Sequence, residues 1–195
     1  MMEREAQMSR ETSETGVDIS LRIDGTGQAS IDSTVGFIDH LITSLARHSM
    51  IDITLRGKSH DNILHHVIED TAITLGMALC DGLGERNGIF RFADCRIPMD
   101  ESLAECCVDL VRRPYHMVQL GLSGPIIEGV PKEDIEHFFN SLLQNMEACI
   151  HIRTMYGSND HHIAEAAIKA LAISLRKAAS PDAERVGPAS TKGTM

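Results

Sequence analysis

Val17, Ile19, Leu21 and Ile23 alternate with polar neighbours, the period of a strand with one buried face. Asp24-Gly25-Thr26-Gly27 signals a turn, so residues 29–33 are expected to pair back as a hairpin. Phe37, Leu41, Leu45 and His48 follow helical spacing, and residues 51–56 alternate again as a strand. A polar loop with Gly57 and Asn62 leads into a helix over about 64–82, stopped near Gly82 and Gly84. Strands are expected at 89–92, 103–111 and 115–120, and a connection at 125–131. Helix then follows at 132–147, strand at 148–154 and a second long helix at about 161–179. Residues 1–13 read as a polar, mobile arm, and the stretch from Pro181 onward has no periodicity. Strand–strand–helix–strand–helix, written twice, predicts an α+β fold with sheet and helices in separate layers.

Residue identities support a duplication. His65-His66-Val67-Ile68-Glu69 recurs as His161-His162-Ile163-Ala164-Glu165 at an offset of 96, and Leu75 and Leu79 recur as Leu171 and Leu175. Upstream, His40, Ser44, Leu45, Ile53 and Arg56 recur as His137, Ser141, Leu142, Ile150 and Arg153 at an offset of 97. A unit of ~96 residues repeated once is a domain duplication rather than a solenoid. The division expected is an arm at 1–15, a first half at 16–124, a second half at 125–180 and a tail at 181–195, in one compact domain.

The duplicated residues are metal-capable. Positions four apart on a helix lie one above the other, so His65 with Glu69, and His161 with Glu165, can each hold an ion. His66 and His162 point about 100° away from those pairs and most naturally serve a different ion. Two metals, each fed from both repeats, are therefore expected. Imidazoles with a carboxylate suit Mn, Fe, Zn or Ni better than Ca or Mg. His60, His116 and His151 have no such pattern and read as ordinary surface or core residues.

Composition narrows the class. The chain has 195 residues, is 43% hydrophobic, has few aromatics and no Trp, a composition ordinary for a soluble α/β protein. A net charge of −10 argues against nucleic acid as a main partner. Five cysteines without CxxC spacing suggest free thiols in a reducing cytoplasm, with Cys106 and Cys107 pointing apart on a strand. Residues 1–14 carry no leader pattern, and no apolar run approaches the ~18 residues of a membrane span.

Several ordered motifs resemble those of the imidazoleglycerol-phosphate dehydratases. Arg10-Glu11-Thr12-Ser13-Glu14-Thr15 is similar to that family's R-x-T-x-E-T, and Phe37-Ile38-Asp39-His40-Leu41 to its F-L-D-H-M, followed by Ala46-Arg47-His48. The two His-His-x-x-Glu segments, Pro98-Met99-Asp100-Glu101, Arg113-Pro114-Tyr115 and Ser190-Thr191-Lys192-Gly193 complete the set. The resemblance implies two α+β halves with helices layered between two mixed sheets. It implies two Mn²⁺ per site, and a homo-oligomer of twenty-four subunits built from trimers with sites at their interfaces. One ion would be held by His40, His66, His161 and Glu165, the other by His65, Glu69, His137 and His162. Asp100 and Glu101 receive no role. One departure concerns the surroundings of the first pair: Ile63 stands where the family usually has Asp, Val67 where it has Thr, and the loop after Gly57 is one residue longer.

The activity implied is dehydration of D-erythro-imidazole-glycerol phosphate to imidazole-acetol phosphate, in histidine biosynthesis. Glu14 would be the base. His48, Arg91, Arg113, Lys169, Ser190, Thr191 and Lys192 would join it in binding the substrate, the cations gripping its phosphate. Two competing readings are a dinuclear hydrolase, which leaves the R-x-T-x-E-T and Ser-Thr-Lys motifs without purpose, and a non-catalytic metal-assembled cage, which has no need of Glu14, Arg113 or Lys192.

Overall fold

A computed structural model describes residues 4–191. Its first element is β1 (Glu5–Glu11), which pairs antiparallel with β2 (Thr15–Arg22) from Glu5 opposite Arg22 to Glu11 opposite Gly16. The stretch expected to be a mobile arm is thus an edge strand. Its inward positions include only two apolar residues, Ala6 and Met8, so the alternation that marks a half-buried strand is faint in the sequence.

The expected hairpin is also corrected. The first sheet runs β1-β2-β4-β3, and β3 (Ala29–Asp32) lies parallel to β4 (Asp52–Ser59) on the side away from β2. Asp52 accepts hydrogen bonds from the Thr26 and Gln28 amides, both at 2.8 Å, and Ile53 N–H donates to the Gln28 carbonyl at 2.8 Å. These bonds fasten the turn to the start of β4, so the chain crosses to its far edge. A parallel neighbour needs a crossover, and α1 (Gly36–Ser49) supplies it.

After α2 (Leu64–Leu83) the plan repeats. The strands β5 (Phe92–Met99), β6 (Ser102–Asp109) and β7 (Tyr115–Gln119) precede a small hairpin of β8 (Ile126–Ile127) and β9 (Val130–Pro131). Then come α3 (Lys132–Gln144), β10 (Cys149–Tyr156) and α4 (Asp160–Ala179). The second sheet runs β5-β6-β10-β7, with β10 antiparallel to β6 and parallel to β7. Asp18 faces Arg56 in the first sheet as Glu105 faces Arg153 in the second. The strands before the crossover are thus offset by 87 residues and those after it by 97. The β8–β9 hairpin fills the difference. The two sheets therefore divide the chain between α2 and β5, not at 124/125, because the offset read from the histidines does not apply upstream of the insertion. Strand β5 starts at Phe92 rather than 89, since Arg91 adopts φ +71 and breaks the extended run.

The halves interlock through their helices. The long helix of each half covers its own sheet, α2 on β1 and β2, α4 on β5 and β6, while α1 packs along α4 and α3 along α2. Leu41, Leu45, Leu75, Leu79, Phe138, Leu142, Leu171 and Leu175 are fully buried in one continuous core, each worth about 2 kcal/mol of apolar burial. At the α2–α3 crossing a Cβ on Gly76 would stand 2.4 Å from the Leu142 carbonyl oxygen, so only glycine permits that approach. Cys106 is buried and Cys107 exposed, and all five cysteines are free. Among the described residues no helix is long and apolar enough to cross a membrane.

The clamp on the turn is testable. Burial pushes the Asp52 carboxyl up, but the Gln28 and Thr26 amides and the Arg22 guanidinium outweigh it and hold it at about 2. A depressed carboxylate stabilises the fold above its ordinary value, and loses that effect as pH falls from about 4 through about 2. Asp52→Asn is expected to cost about 1 kcal/mol near neutral pH after allowance for solvent screening. Denaturant midpoints should show the gap to the parent chain closing as the solution is acidified over that range.

Candidate metal-binding site

Both histidine pairs stand on the first turn of a helix. Asn159 caps α4, its side chain accepting from the His161 and His162 amides at 2.9 and 3.4 Å. Helix α2 has no side-chain cap; instead Asp61 Oδ1 accepts from Ile63 N–H at 2.9 Å and turns the loop into it.

The cross-packing of helices then assembles two clusters. Helix α1 carries His40 to His161 and Glu165 on α4, and α3 carries His137 to His65 and Glu69 on α2. Within each cluster one ligand atom per residue lies within 4.8 Å of the others. His40 Nε2 and His161 Nε2 are each 3.2 Å from Glu165 Oε2, and His137 Nε2 is 3.0 Å from Glu69 Oε1. Each cluster draws on both repeats and offers two imidazoles and a carboxylate without a thiolate. That donor set fits a divalent Mn, Fe, Zn or Ni ion. His66 stands apart from both in a third metal-capable group with Glu14 and Asp61, and His162 belongs to none of the three among the described residues.

All four histidines of the pairs have a carboxylate on Nδ1. His65 meets Asp134 at 2.6 Å, His66 meets Asp61 at 2.6 Å, His161 meets Glu128 at 3.1 Å and His162 meets Glu101 at 2.7 Å. Such a partner holds the proton on Nδ1 and leaves the Nε2 lone pair for an ion. The contact with Asp61 raises the His66 pKa, and that with Glu101 raises the His162 pKa while holding Glu101 itself at about 2. Burial pushes Glu165 up, yet the hydrogen bonds from Lys169 and His40 prevail and keep it at about 2. Sequence reasoning assigned none of these four carboxylates. Asp61 makes good the departure at Ile63, reaching His66 from the longer loop, and Val67 is buried in the core instead of facing the site. Glu101 was visible only as part of a motif, and its partner lies sixty-one residues away.

The remaining residues fall into two places. Glu14 Oε2 is 3.6 Å from His66 Nδ1, in a tight loop where Thr12 Oγ1 accepts from the Glu14 and Thr15 amides at 3.1 and 3.0 Å. Asp70, itself buried, ties that loop down by accepting from Arg10 at 2.8 Å and from the Thr15 hydroxyl. Lys169 Nζ sits 2.6 Å from Glu165, and His48 lies near enough that burial first and the Lys169 charge second push its pKa down. Arg91, Arg113 and Ser190 are elsewhere. Arg91 N–H donates to the Ala178 carbonyl at the far end of α4, and Arg112, next to Arg113, donates to the Gly84 carbonyl just past α2 at 2.8 Å. At 1.5 Å per residue, Ala178 is about 25 Å along α4 from His161. Thr191 follows Ser190 in the same segment, and Lys192 lies outside the described residues.

Comparison with known proteins gives consistent matches. The family model described as imidazoleglycerol-phosphate dehydratase matches residues 33–175. An imidazoleglycerol-phosphate dehydratase of Chlorobium phaeovibrioides is 46% identical over 194 residues, covering 98% of this chain and 96% of that protein. One from Dehalococcoides mccartyi is 43% identical, covering 100% and 99%. Among solved structures, the Staphylococcus aureus imidazoleglycerol-phosphate dehydratase superposes with a TM-score of 0.81 at 30% identity, covering 91% of this chain and 99% of its own. The Pyrococcus furiosus structure gives 0.81 at 34% identity, covering 96% and 100%.

The carboxylate partners make a direct prediction. Asp61→Asn and Glu101→Gln should each weaken Mn²⁺ binding about 10–100-fold in calorimetric titrations of metal-stripped protein, with the fold intact by circular dichroism. Affinity unchanged in both variants would deny them an orienting role.

Proposed function

The chain belongs to the imidazoleglycerol-phosphate dehydratase family of hydro-lyases, and from that premise we propose that it dehydrates D-erythro-imidazole-glycerol phosphate with two divalent metal ions held between copies of the chain. The single observation that carries the shared site is distance. The substrate measures on the order of 8 Å from imidazole to phosphate, whereas Arg91, bonded through its amide to Ala178, stands about 25 Å along α4 from His161 of its own chain, and Lys169 alone of the expected cations lies beside a histidine cluster. A phosphate gripped by Arg91 therefore belongs to a substrate whose imidazole is held by another copy's histidines.

In the arrangement we propose, one subunit offers His40, His161 and Glu165, and a neighbour offers His66 as the fourth ligand. The neighbour's His65, Glu69 and His137 form the second set, completed by His162 of the first. The two repeats thus meet across the boundary as they meet within the core. Manganese is the metal we propose, two ions per site, in a homo-oligomer of twenty-four subunits built from trimers. The nitrogen and oxygen donors support the metal, and the family resemblance supports the count. A cytoplasmic setting accords with the free cysteines.

The chemistry asks for loss of a hydroxyl from the carbon that bears the imidazole, C3, and of a weakly acidic proton from its neighbour, C2. Bound at the ring nitrogens, the ions would act as Lewis acids that acidify the imidazole and raise its capacity to expel a leaving group. Glu14, held beside His66 by the Thr12 loop, is the base for the C2 proton as the C3 hydroxyl departs. The enol that results becomes the ketone of imidazole-acetol phosphate. Lys169 and His48 lie beside Glu165, where they can contact the substrate.

Glu14→Gln should lower kcat at least about a hundredfold, the usual contribution of a positioned base, while two metals per subunit and the particle mass stay as in the parent. Imidazole-glycerol phosphate turnover, metal content and light scattering measure the three. A variant with full turnover removes Glu14 from the chemistry. Protein that never turns over this substrate, yet assembles around metal, favours the cage.

A further inference from the structure

Arg91 is the hub of the seam that ties the C-terminal segment to the second sheet. Its guanidinium makes a two-point contact with Asp109 on β6, Nε to Oδ1 at 2.6 Å and Nη2 to Oδ2 at 3.0 Å. Its Nη1 donates to the Ala189 carbonyl, immediately before Ser190. Backbone bonds extend the seam: Phe90 N–H to the Ser180 carbonyl at 3.1 Å, Asp182 N–H to the Gly88 carbonyl at 2.9 Å, and Gly88 N–H to the Gly187 carbonyl at 3.1 Å. The side chain is nearly buried, stacked over the Phe92 ring at 4.5 Å.

A guanidinium has five N–H groups in a rigid plane. Asp109 takes two and Ala189 one, which leaves one on each terminal nitrogen. A carboxylate gripping Nε and Nη2 fixes the plane of that fork far better than a single contact would. The nonhelical, aperiodic stretch after Ser180 has no core of its own to order it, so its position depends on this seam.

We propose that Asp109 is a positioning residue for phosphate recognition: by locking Arg91, whose Nη1 also holds the Ala189 carbonyl, it presents the remaining guanidinium N–H groups to the phosphate monoester of the substrate. Asp109 touches no substrate itself. The assignment rests on the dehydratase reading for the identity of the ligand, but the seam it describes is independent of that reading.

The test uses the metal-loaded, assembled enzyme with Asp109→Asn and Asp109→Glu. Asp109→Asn should raise KM for imidazole-glycerol phosphate and Ki for inorganic phosphate at least about tenfold with kcat within about threefold, the pattern of lost uniform binding. Amide exchange across residues 181–191 should quicken in the same variant. Asp109→Glu, which keeps a carboxylate for the fork, should recover most of the loss in KM. Three results overturn the proposal: KM and Ki at parental values in Asp109→Asn, kcat and kcat/KM falling together with KM unmoved, or exchange of the segment unaltered. If the parent enzyme proves inactive on imidazole-glycerol phosphate, the substrate reading fails separately, and phosphate protection with amide exchange still decides the role of Asp109.

Discussion

A twenty-residue α-helix is about 30 Å long, and two such rods, α2 and α4, dictate where chemistry can happen in this protein. Each has a histidine pair on its first turn and a basic segment against its last. The rods are rigid because both lie in the core, covered by a sheet on one side and a shorter helix on another. No side-chain rotation closes a gap of that length. In the arrangement we propose, completion of a site comes from another copy, and the duplicated sequence provides complementary halves for it to use.

The same constraint explains why the ligands are held so firmly. In the shared site we propose, the histidines are shaped before a partner arrives, because a carboxylate on Nδ1 orients each of the four. The two repeats reach the same result with different residues. Asp61 comes from a loop five positions before its histidine, whereas Glu101 comes from the β5–β6 turn on the other side of the sequence. Asp134 on α3 and Glu128 in the β8–β9 hairpin serve His65 and His161. Selection for the geometry of a nitrogen lone pair leaves the source of the carboxylate open, which is why Ile63 could replace an expected acid without loss of the contact.

Legibility in the sequence followed the range of the interactions. The helices and the pairing of His65 with Glu69, and of His161 with Glu165, are local properties of a 3.6-residue period, and they could be read directly. The joining of His40 and His137 to those pairs was suggested by repetition, because the two halves interlock in an equivalent way. Strand β1 escaped because its polar outward residues and sparse apolar inward ones look like a solvated arm. The parallel placement of β3 escaped because it depends on Asp52, more than twenty residues from the turn it clamps. The β8–β9 insertion shifted the repeat by about ten residues and moved the apparent boundary. The Arg91–Asp109–Ala189 seam spans ninety-eight residues and has no periodic signature.

The central claim is that each active site is divided between subunits, and mixed assemblies test it most directly. Glu14→Gln and Lys169→Ala each disable a different side of the shared site while sparing the metal ligands. Stripped of metal, mixed in equal amounts and reassembled with Mn²⁺, they should yield about a quarter of parental turnover, since independent pairing makes that fraction of sites intact. Turnover no higher than the mean of the two unmixed variants would place Glu14 and Lys169 in one chain's site and contradict the account.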